Sequence, residues 1–304
     1  MTGDTDMTGA TVQSGDGDFL QGMAASSQAR LQARRALTDR AALERLAAAQ
    51  KTPPPLRLSA EGFDLIAEVK KSSPSAGRLA ADGLSPSAQA AQYKAAGAAA
   101  ISVLTEPSRF DGSLEDLAQV VAQVDDQVDA IPVMRKDFLV DPYQVVEARA
   151  AGAGGVLLIA AILAPAVLRD MLQTTFELGM FALVEAFDEK DLARCVPVMS
   201  DEEPEMAIGA DGTCRMLLGI NCRNLRTLDV EFTRFMDLAG QLPASLPKTL
   251  PMVAESGVDS PDKVGQVANA GYRLALVGTA LMRSDDPEHA ARALLAAGRA
   301  AQSR

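Results

Sequence analysis

Eight short apolar runs punctuate residues 63–277, and most are followed by a helix-forming stretch. The runs fall at 63–69, 99–104, 131–134, 155–160, 181–184, 216–220, 251–254 and 273–277. Between them lie helical segments such as 87–96, 114–124, 143–151, 165–178, 262–270 and 287–297. Strand and helix in alternation imply a parallel sheet with right-handed crossovers, because parallel strands need a covering helix to return the chain. Eight such units in roughly 240 residues match a closed (β/α)8 barrel. Gly97, Gly152 and Gly271 stand where helices end before the next strand, as C-capping glycines do. A doubly wound open sheet is the rival topology. It calls for a glycine-rich loop after the first strand, and Lys70-Lys-Ser-Ser-Pro74 is not one.

The ends of the runs are polar. The first finishes on Glu68-Val-Lys70, and residues two apart on a strand share a face. A buried ion without a partner costs several kcal/mol or neutralises itself, so charges at a buried strand end need a reason. Later termini carry Thr105-Glu106, Arg135-Lys136-Asp137, Glu185, Asn221 with Arg223, Glu255-Ser256-Gly257 and Gly278-Thr279. A rim salt bridge explains any one of these. In a closed barrel, however, all strand C-termini converge on one rim, where acids, bases and an amide can act together. Two lysines in one mouth are expected to lower each other's pKa, as desolvation also does. The turns Glu255-Ser-Gly257 and Gly278-Thr279 follow strands seven and eight, where barrels bind phosphate through backbone N–H groups.

Composition closes off other chemistries. His289 is the single histidine, which removes a Ser-His-Asp triad and a histidine-rich metal site. Cys195, Cys214 and Cys222 form no Cys-x-x-Cys pair and fit reduced thiols in a cytoplasm, with Cys222 serving as packing. A net charge of −11 argues against a nucleic-acid or membrane surface. No run approaches the ~20 apolar residues that span a bilayer. Gly152-Ala-Gly154-Gly155 precedes its strand and reads as a turn, not a dinucleotide fingerprint. Residues 1–18 read as a disordered tail. Residues 19–304 read as a single barrel domain that includes a helical extension, 19–62. Within that extension Leu31, Ala36 and Leu46 sit among charges as on an amphipathic helix, and Lys51-Thr-Pro-Pro-Pro55 ends the helical stretch. The acidic stretch near 199–214 reads as a solvated surface insertion.

Several strings, in order, resemble the indole-3-glycerol-phosphate synthases of tryptophan biosynthesis. They are Ile66-Ala-Glu-Val-Lys-Lys-Ser-Ser-Pro-Ser75, Ile101-Ser-Val-Leu-Thr-Glu-Pro107, Gly112-Ser-Leu-Glu-Asp-Leu117, Arg135-Lys-Asp-Phe138 and Asp141-Pro-Tyr143. Leu183-Val-Glu185, Gly219-Ile-Asn221, Ala254-Glu-Ser-Gly257 and Leu276-Val-Gly278 complete the set. The resemblance runs from about residue 19 to the end and implies a (β/α)8 TIM barrel with an N-terminal helical extension. It also implies a carboxy-lyase that needs no metal or organic cofactor. The substrate implied is 1-(2-carboxyphenylamino)-1-deoxyribulose 5-phosphate, and the products are indole-3-glycerol phosphate, carbon dioxide and water. The expected partner is thus a small sugar phosphate, with neither nucleic acid nor membrane, and the expected state is a monomer or weak oligomer.

Carried onto this chain, the resemblance makes Lys136 the general acid of ring closure. Glu185 and Lys70 become the acid/base groups of the dehydration, their division of labour open. Glu68 and Asn221 orient substrate and charges, and Glu255 with Ser256 complete the catalytic mouth. Ser73, Arg223, Gly257, Gly278 and Thr279 fall to phosphate and anion binding. The chain departs from the family pattern at Ala186-Phe187, where Val-His is usual, and at Cys222-Arg223, where a second Asn or Ser is typical. Two rivals stand beside this reading. A phosphoribosylanthranilate isomerase needs its acid/base pair at other strand ends. A non-catalytic phosphosugar-binding barrel would keep the glycine turns but lose the acid/base residues.

Overall fold

The computed structural model describes residues 19–73, 77–78, 85–125, 129–202, 206–209, 211–224, 227–243, 245–247 and 249–303, without the side chains of Ser73 and Arg78. The expected tail at 1–18 lies outside the described residues.

Eight parallel strands close into a barrel in chain order. They are β1 (Asp64–Val69), β2 (Ala100–Leu104), β3 (Val133–Lys136), β4 (Gly155–Ile159), β5 (Phe181–Ala186), β6 (Met216–Asn221), β7 (Met252–Glu255) and β8 (Leu274–Val277). β8 pairs with β1, setting Leu276 opposite Ile66, and this contact shuts the ring. Helices on the outside and side chains within cover both faces, which is why the strands are buried along nearly their whole length and mostly apolar, with polar residues concentrated towards their ends. Ten helices are named here in chain order: α1 (Phe19–Leu37), α2 (Arg40–Ala48), α3 (Pro86–Ala96), α4 (Leu114–Val124), α5 (Pro142–Ala150), α6 (Pro165–Glu177), α7 (Glu189–Ser200), α8 (Arg234–Ala239), α9 (Pro261–Asn269) and α10 (Pro287–Gln302).

Three of these helices begin one residue before the sequence expectation. Pro86, Pro142 and Pro261 occupy the first turn, while Ser85, Asp141 and Ser260 cap the free N–H groups behind them. Proline is tolerated there because its missing N–H would be unpaired anyway. Gly97, Gly152 and Gly271 take positive φ at the helix ends, as expected. β3 starts two residues later than its apolar run, so Lys136 lies within the strand, opposite Leu104.

Two expectations need correction. The leader is two helices, broken where Asp39 accepts a hydrogen bond from the Ala42 N–H (2.7 Å) and caps α2. Its buried stripe is Leu20, Met23, Ser27 and Leu31, followed by Leu43 and Ala47 on α2. Leu31 fits the expectation, but Ala36 faces solvent near the end of α1, and Leu46 faces solvent on α2, where Leu43 and Ala47 form the buried face. The 199–214 stretch is more than a solvated insertion. Thr213–Cys214 pairs antiparallel with Leu56–Arg57, and Leu56 and Cys214 are buried with the residues that fill the barrel's interior. Asp201 and Asp211 are exposed as expected, whereas Glu203, Pro204 and Glu205 lie outside the described residues.

Helix α1 is tied to the barrel beside the C-terminal end of β3. The Arg30 guanidinium donates to both oxygens of Asp137 (2.8 and 3.1 Å), Gln144 donates to the Ser27 hydroxyl, and the Tyr143 hydroxyl donates to the Thr38 carbonyl. Among the described residues, no helix is long and apolar enough to cross a membrane.

Candidate active site

Strand alternation sorts the barrel into an inside and an outside. Ile66, Ala100, Met134, Leu157, Leu183, Leu217, Val253 and Leu274 pack together in the interior. Two residues further along their strands, the same face carries Glu68, Lys136, Glu185, Gly219 and Glu255, with Asn221 two beyond Gly219. The interior is therefore apolar at one end and ionisable at the C-terminal rim. A cavity of about 610 Å³ opens there, lined by Glu68, Lys70, Lys136, Glu185, Asn221 and Glu255 among others. Eleven of the twelve site residues expected from the sequence line it: these six, and Arg223, Ser256, Gly257, Gly278 and Thr279. Ser73 sits on its backbone in a short hairpin with Gly77, and its side chain lies outside the described residues.

Glu68 is the electrostatic hub. Its carboxylate stands 2.6 Å from the Lys70 ammonium and 3.5 Å from that of Lys136. Burial alone would raise the Glu68 pKa, but Lys70 and then Lys136 outweigh it and hold the carboxyl below the usual range. Lys136 corrects the sequence expectation of a depressed lysine. Burial does push its ammonium down, yet the charges of Glu68, Glu185 and Glu255 outweigh burial and lift it above the ordinary lysine value. Three carboxyls outnumber the one neighbouring lysine. The cation at Lys136 is thus held charged at neutral pH.

The opposite wall is carboxylic. Glu185 and Glu255 are almost fully buried, and both are raised. For Glu185, burial raises the carboxyl against the pull of Lys136 and a hydrogen bond from Asn221. For Glu255, burial and then the neighbouring Glu185 push it well above the usual carboxylate range. Asn221 is oriented from its other side, since its side-chain oxygen accepts the Arg223 N–H at 2.9 Å.

Small backbone residues shape the rest of the lining. Ser256 and Gly257 both have φ of +66°, two left-handed residues in succession after β7. Gly257 is required twice over, since a Cβ there would lie 2.9 Å from the Cys222 sulfur as well as on a positive φ. Cys222 is buried packing, as expected, with its thiol donating to the Ser256 carbonyl. Lys263 on α9 and Arg283 add cations to the lining alongside Arg223.

Other rim residues in the sequence list hold structure. Glu106 caps the short helix Pro107–Phe110, accepting from the N–H groups of Ser108 and Arg109. Arg135 points away from the cavity into a buried network with Glu147 and Asp137. Asp137 also accepts from Thr105 and Arg30. An aromatic wall escaped the sequence reading. Phe19, Phe110 and Phe138 line the cavity, with Phe138 6.3 Å from each of the other two ring centres. Phe19 and Phe110 bear no periodic signal, and their meeting depends on the docking of α1. Lys263 and Arg283 lie beyond the strand ends, where charges on solvated helices are ordinary.

Comparison with known proteins agrees with this geometry. The family profile described as "Indole-3-glycerol phosphate synthase" matches residues 20–294. The indole-3-glycerol phosphate synthase of Nocardioides sp. is 47% identical over 233 residues, covering 77% of this chain and 80% of the relative. That of Beutenbergia cavernae is 45% identical over 238 residues, covering 78% and 79%. Among solved structures, thiamine phosphate pyrophosphorylase from Pyrococcus furiosus superposes with a TM-score of 0.53 at 14% identity, covering 79% of this chain and 97% of that one; it shares the barrel fold. With a profile match over most of its length and relatives near half identical, the chain belongs to the indole-3-glycerol phosphate synthase family.

Proposed function

We propose that the carboxyl- and ammonium-lined mouth carries out the family's ring closure with its residues in the following roles. The chain is a carbon–carbon lyase of that family, converting 1-(2-carboxyphenylamino)-1-deoxyribulose 5-phosphate to indole-3-glycerol phosphate, carbon dioxide and water. The ring carbon that bears the carboxylate attacks the ribulose carbonyl carbon, and the carbonyl oxygen takes a proton. Loss of carbon dioxide restores the aromatic ring. Loss of the new hydroxyl as water, with a proton from the neighbouring carbon, then completes the indole.

Lys136 is the general acid of the first step. The observation that carries this role is its ammonium lodged among Glu68, Glu185 and Glu255 inside the cavity. Glu68 foremost, and then Glu185, keep it charged, and the interior strand position aims it into the mouth. Glu185 and Lys70 serve the dehydration, Glu68 holds both lysines in place, and Asn221 orients Glu185. Glu255 with Ser256 completes the catalytic mouth, and Arg223, Gly257, Gly278 and Thr279, with Ser73, take the sugar phosphate. Each acid/base group contributes about 10²–10⁴-fold. The aromatic wall of Phe19, Phe110 and Phe138 suits the carboxyphenyl ring. Buried thiols and the lack of a membrane-spanning helix among the described residues support a cytoplasmic enzyme, acting as a monomer or weak oligomer.

Lys136→Ala tests the central role. It loses indole-3-glycerol phosphate formation while keeping its thermal unfolding transition. Normal turnover by the folded variant would refute the assignment.

A further inference from the structure

Glu255 poses a problem that the roles above leave open. Both its carboxyl oxygens are sealed from water, and neither meets a hydrogen-bond partner within ordinary geometry. A buried carboxylate left this way costs several kcal/mol, so an ionised Glu255 is the least economical state the site could hold. The barrel nevertheless makes room for it. β6 lies between β5 and β7, and at its centre, opposite Glu185, stands Gly219. A Cβ at Gly219 would fall 2.0 Å from a Glu255 oxygen. The missing side chain leaves a gap through which the carboxyls of β5 and β7 face each other over the intervening strand.

We propose that Glu185 and Glu255 share a single proton across the gap left by Gly219, with Glu255 carrying it as a neutral acid and positioning Glu185. This rests on the acid/base role given to Glu185 above and takes Glu185, of the Glu185–Lys70 pair, as the base. A proton on Glu255 makes its carboxyl a donor to the Glu185 carboxylate, which accepts, so one hydrogen bond joins the two groups. It also leaves one negative charge where two adjacent carboxylates would repel. The surrounding charges fit. Lys136 faces the pair from β3 and compensates one charge, while Glu68 on β1 and Asp191 on α7 add negative potential that disfavours a second. Asn221 donates to Glu185 from β6, leaving Glu255 without that help. The two carboxyls titrate as a pair, and the single-proton form is the working state. Glu185 thus stays ionised, able to accept a proton, while its partner holds it in one orientation.

The test compares Glu255→Gln, Glu255→Ala and Gly219→Ala in the full chain. The Gln amide can donate to Glu185 without carrying a proton, so it mimics the neutral acid. Glu255→Ala and Gly219→Ala are expected to lower kcat/KM by roughly 10²-fold, with Glu255→Gln recovering about tenfold of that loss. The acid limb of kcat/KM in Glu255→Gln stays at its wild-type pH, because Glu185 faces a neutral neighbour in both proteins. Infrared spectra of the wild type near neutral pH show a protonated-carboxyl C=O band, sensitive to deuterium exchange and missing from Glu255→Gln. Three results would each overturn the shared proton: no such band in the wild type, an acid limb shifted to lower pH in Glu255→Gln, or a Gln variant as impaired as the Ala variant. Glu185→Gln is read separately. Full activity there removes the base role itself, whereas the Glu255 outcomes bear on the proton alone.

Discussion

Gly278→Ala isolates the geometry of the site from its charge. The substitution adds one methyl group and alters no ionisable residue. Gly278 has a φ of −124°, so a left-handed backbone is not what keeps a side chain out. The lack of space does so. A Cβ there would lie 2.3 Å from a Glu68 oxygen, 3.0 Å from its carboxyl carbon and 3.1 Å from its Cβ. The carboxylate must retreat by roughly 1.1 Å or more to reach an ordinary contact. That movement breaks up the 2.6 Å pair with Lys70 and the 3.5 Å pair with Lys136 together. Overpacking of this kind costs about 1–3 kcal/mol of stability, which a protein of ordinary stability survives. Misplacement of a catalytic group by about 1 Å costs on the order of 10²-fold in rate. The assay is the initial rate of indole formation from the carboxyphenylamino sugar phosphate, followed by absorbance beside a thermal melt. A fall of about 10²-fold in kcat, with the melt retained, is expected. A folded variant within about threefold of wild type would refute the reasoning. A change confined to KM would assign Gly278 to phosphate binding alone.

Two further outcomes follow from the same charges. Glu68→Gln removes the first among the charges that lift Lys136, so the Lys136 pKa falls and the alkaline limb of the kcat profile moves to lower pH; an unmoved limb would contradict the account. Asp137 is held at about 2 because Arg135 and Arg30 outweigh its burial. A depressed carboxyl contributes stability that is present above its unfolded pKa and is lost as pH falls through the folded one, here between about pH 4 and pH 2, and worth roughly 2 kcal/mol. Asp137→Asn takes the carboxylate from Arg30 and leaves Arg135 with that of Glu147, and is expected to destabilise the fold by about 3–5 kcal/mol in denaturant titration. A loss under about 1 kcal/mol would show the bracket to be dispensable.

The sequence disclosed the ionisable wall of the cavity because strand burial makes polar residues conspicuous. Glu68, Lys136, Glu185, Asn221 and Glu255 each end a run that is otherwise apolar, and alternation alone sends them to one face. What a charge experiences there was not legible. The raised Lys136 follows from three carboxyls contributed by three other strands, and no local pattern counts them. Gly219 and Gly278 illustrate the same limit. Each looks like an ordinary turn or strand glycine, yet the atoms that exclude a side chain belong to glutamates on neighbouring strands. Glu106 and Arg135 went the other way, since a capping carboxylate and a buried ion pair read as rim chemistry until their partners are seen. The helical leader was visible by composition, but its break came from one aspartate cap, which reoriented the second helix.

The latch between Arg30 and Asp137 spans 107 residues of chain. On the ribosome α1 is made before the barrel, and it must wait with Leu20 and Met23 uncovered until the barrel strands have emerged. Its attachment is a late, long-range event, slow for the same reason that distant pairings slow folding in general. Phe19 reaches the aromatic wall by that attachment, so the cavity lining is completed only when this helix has found its berth.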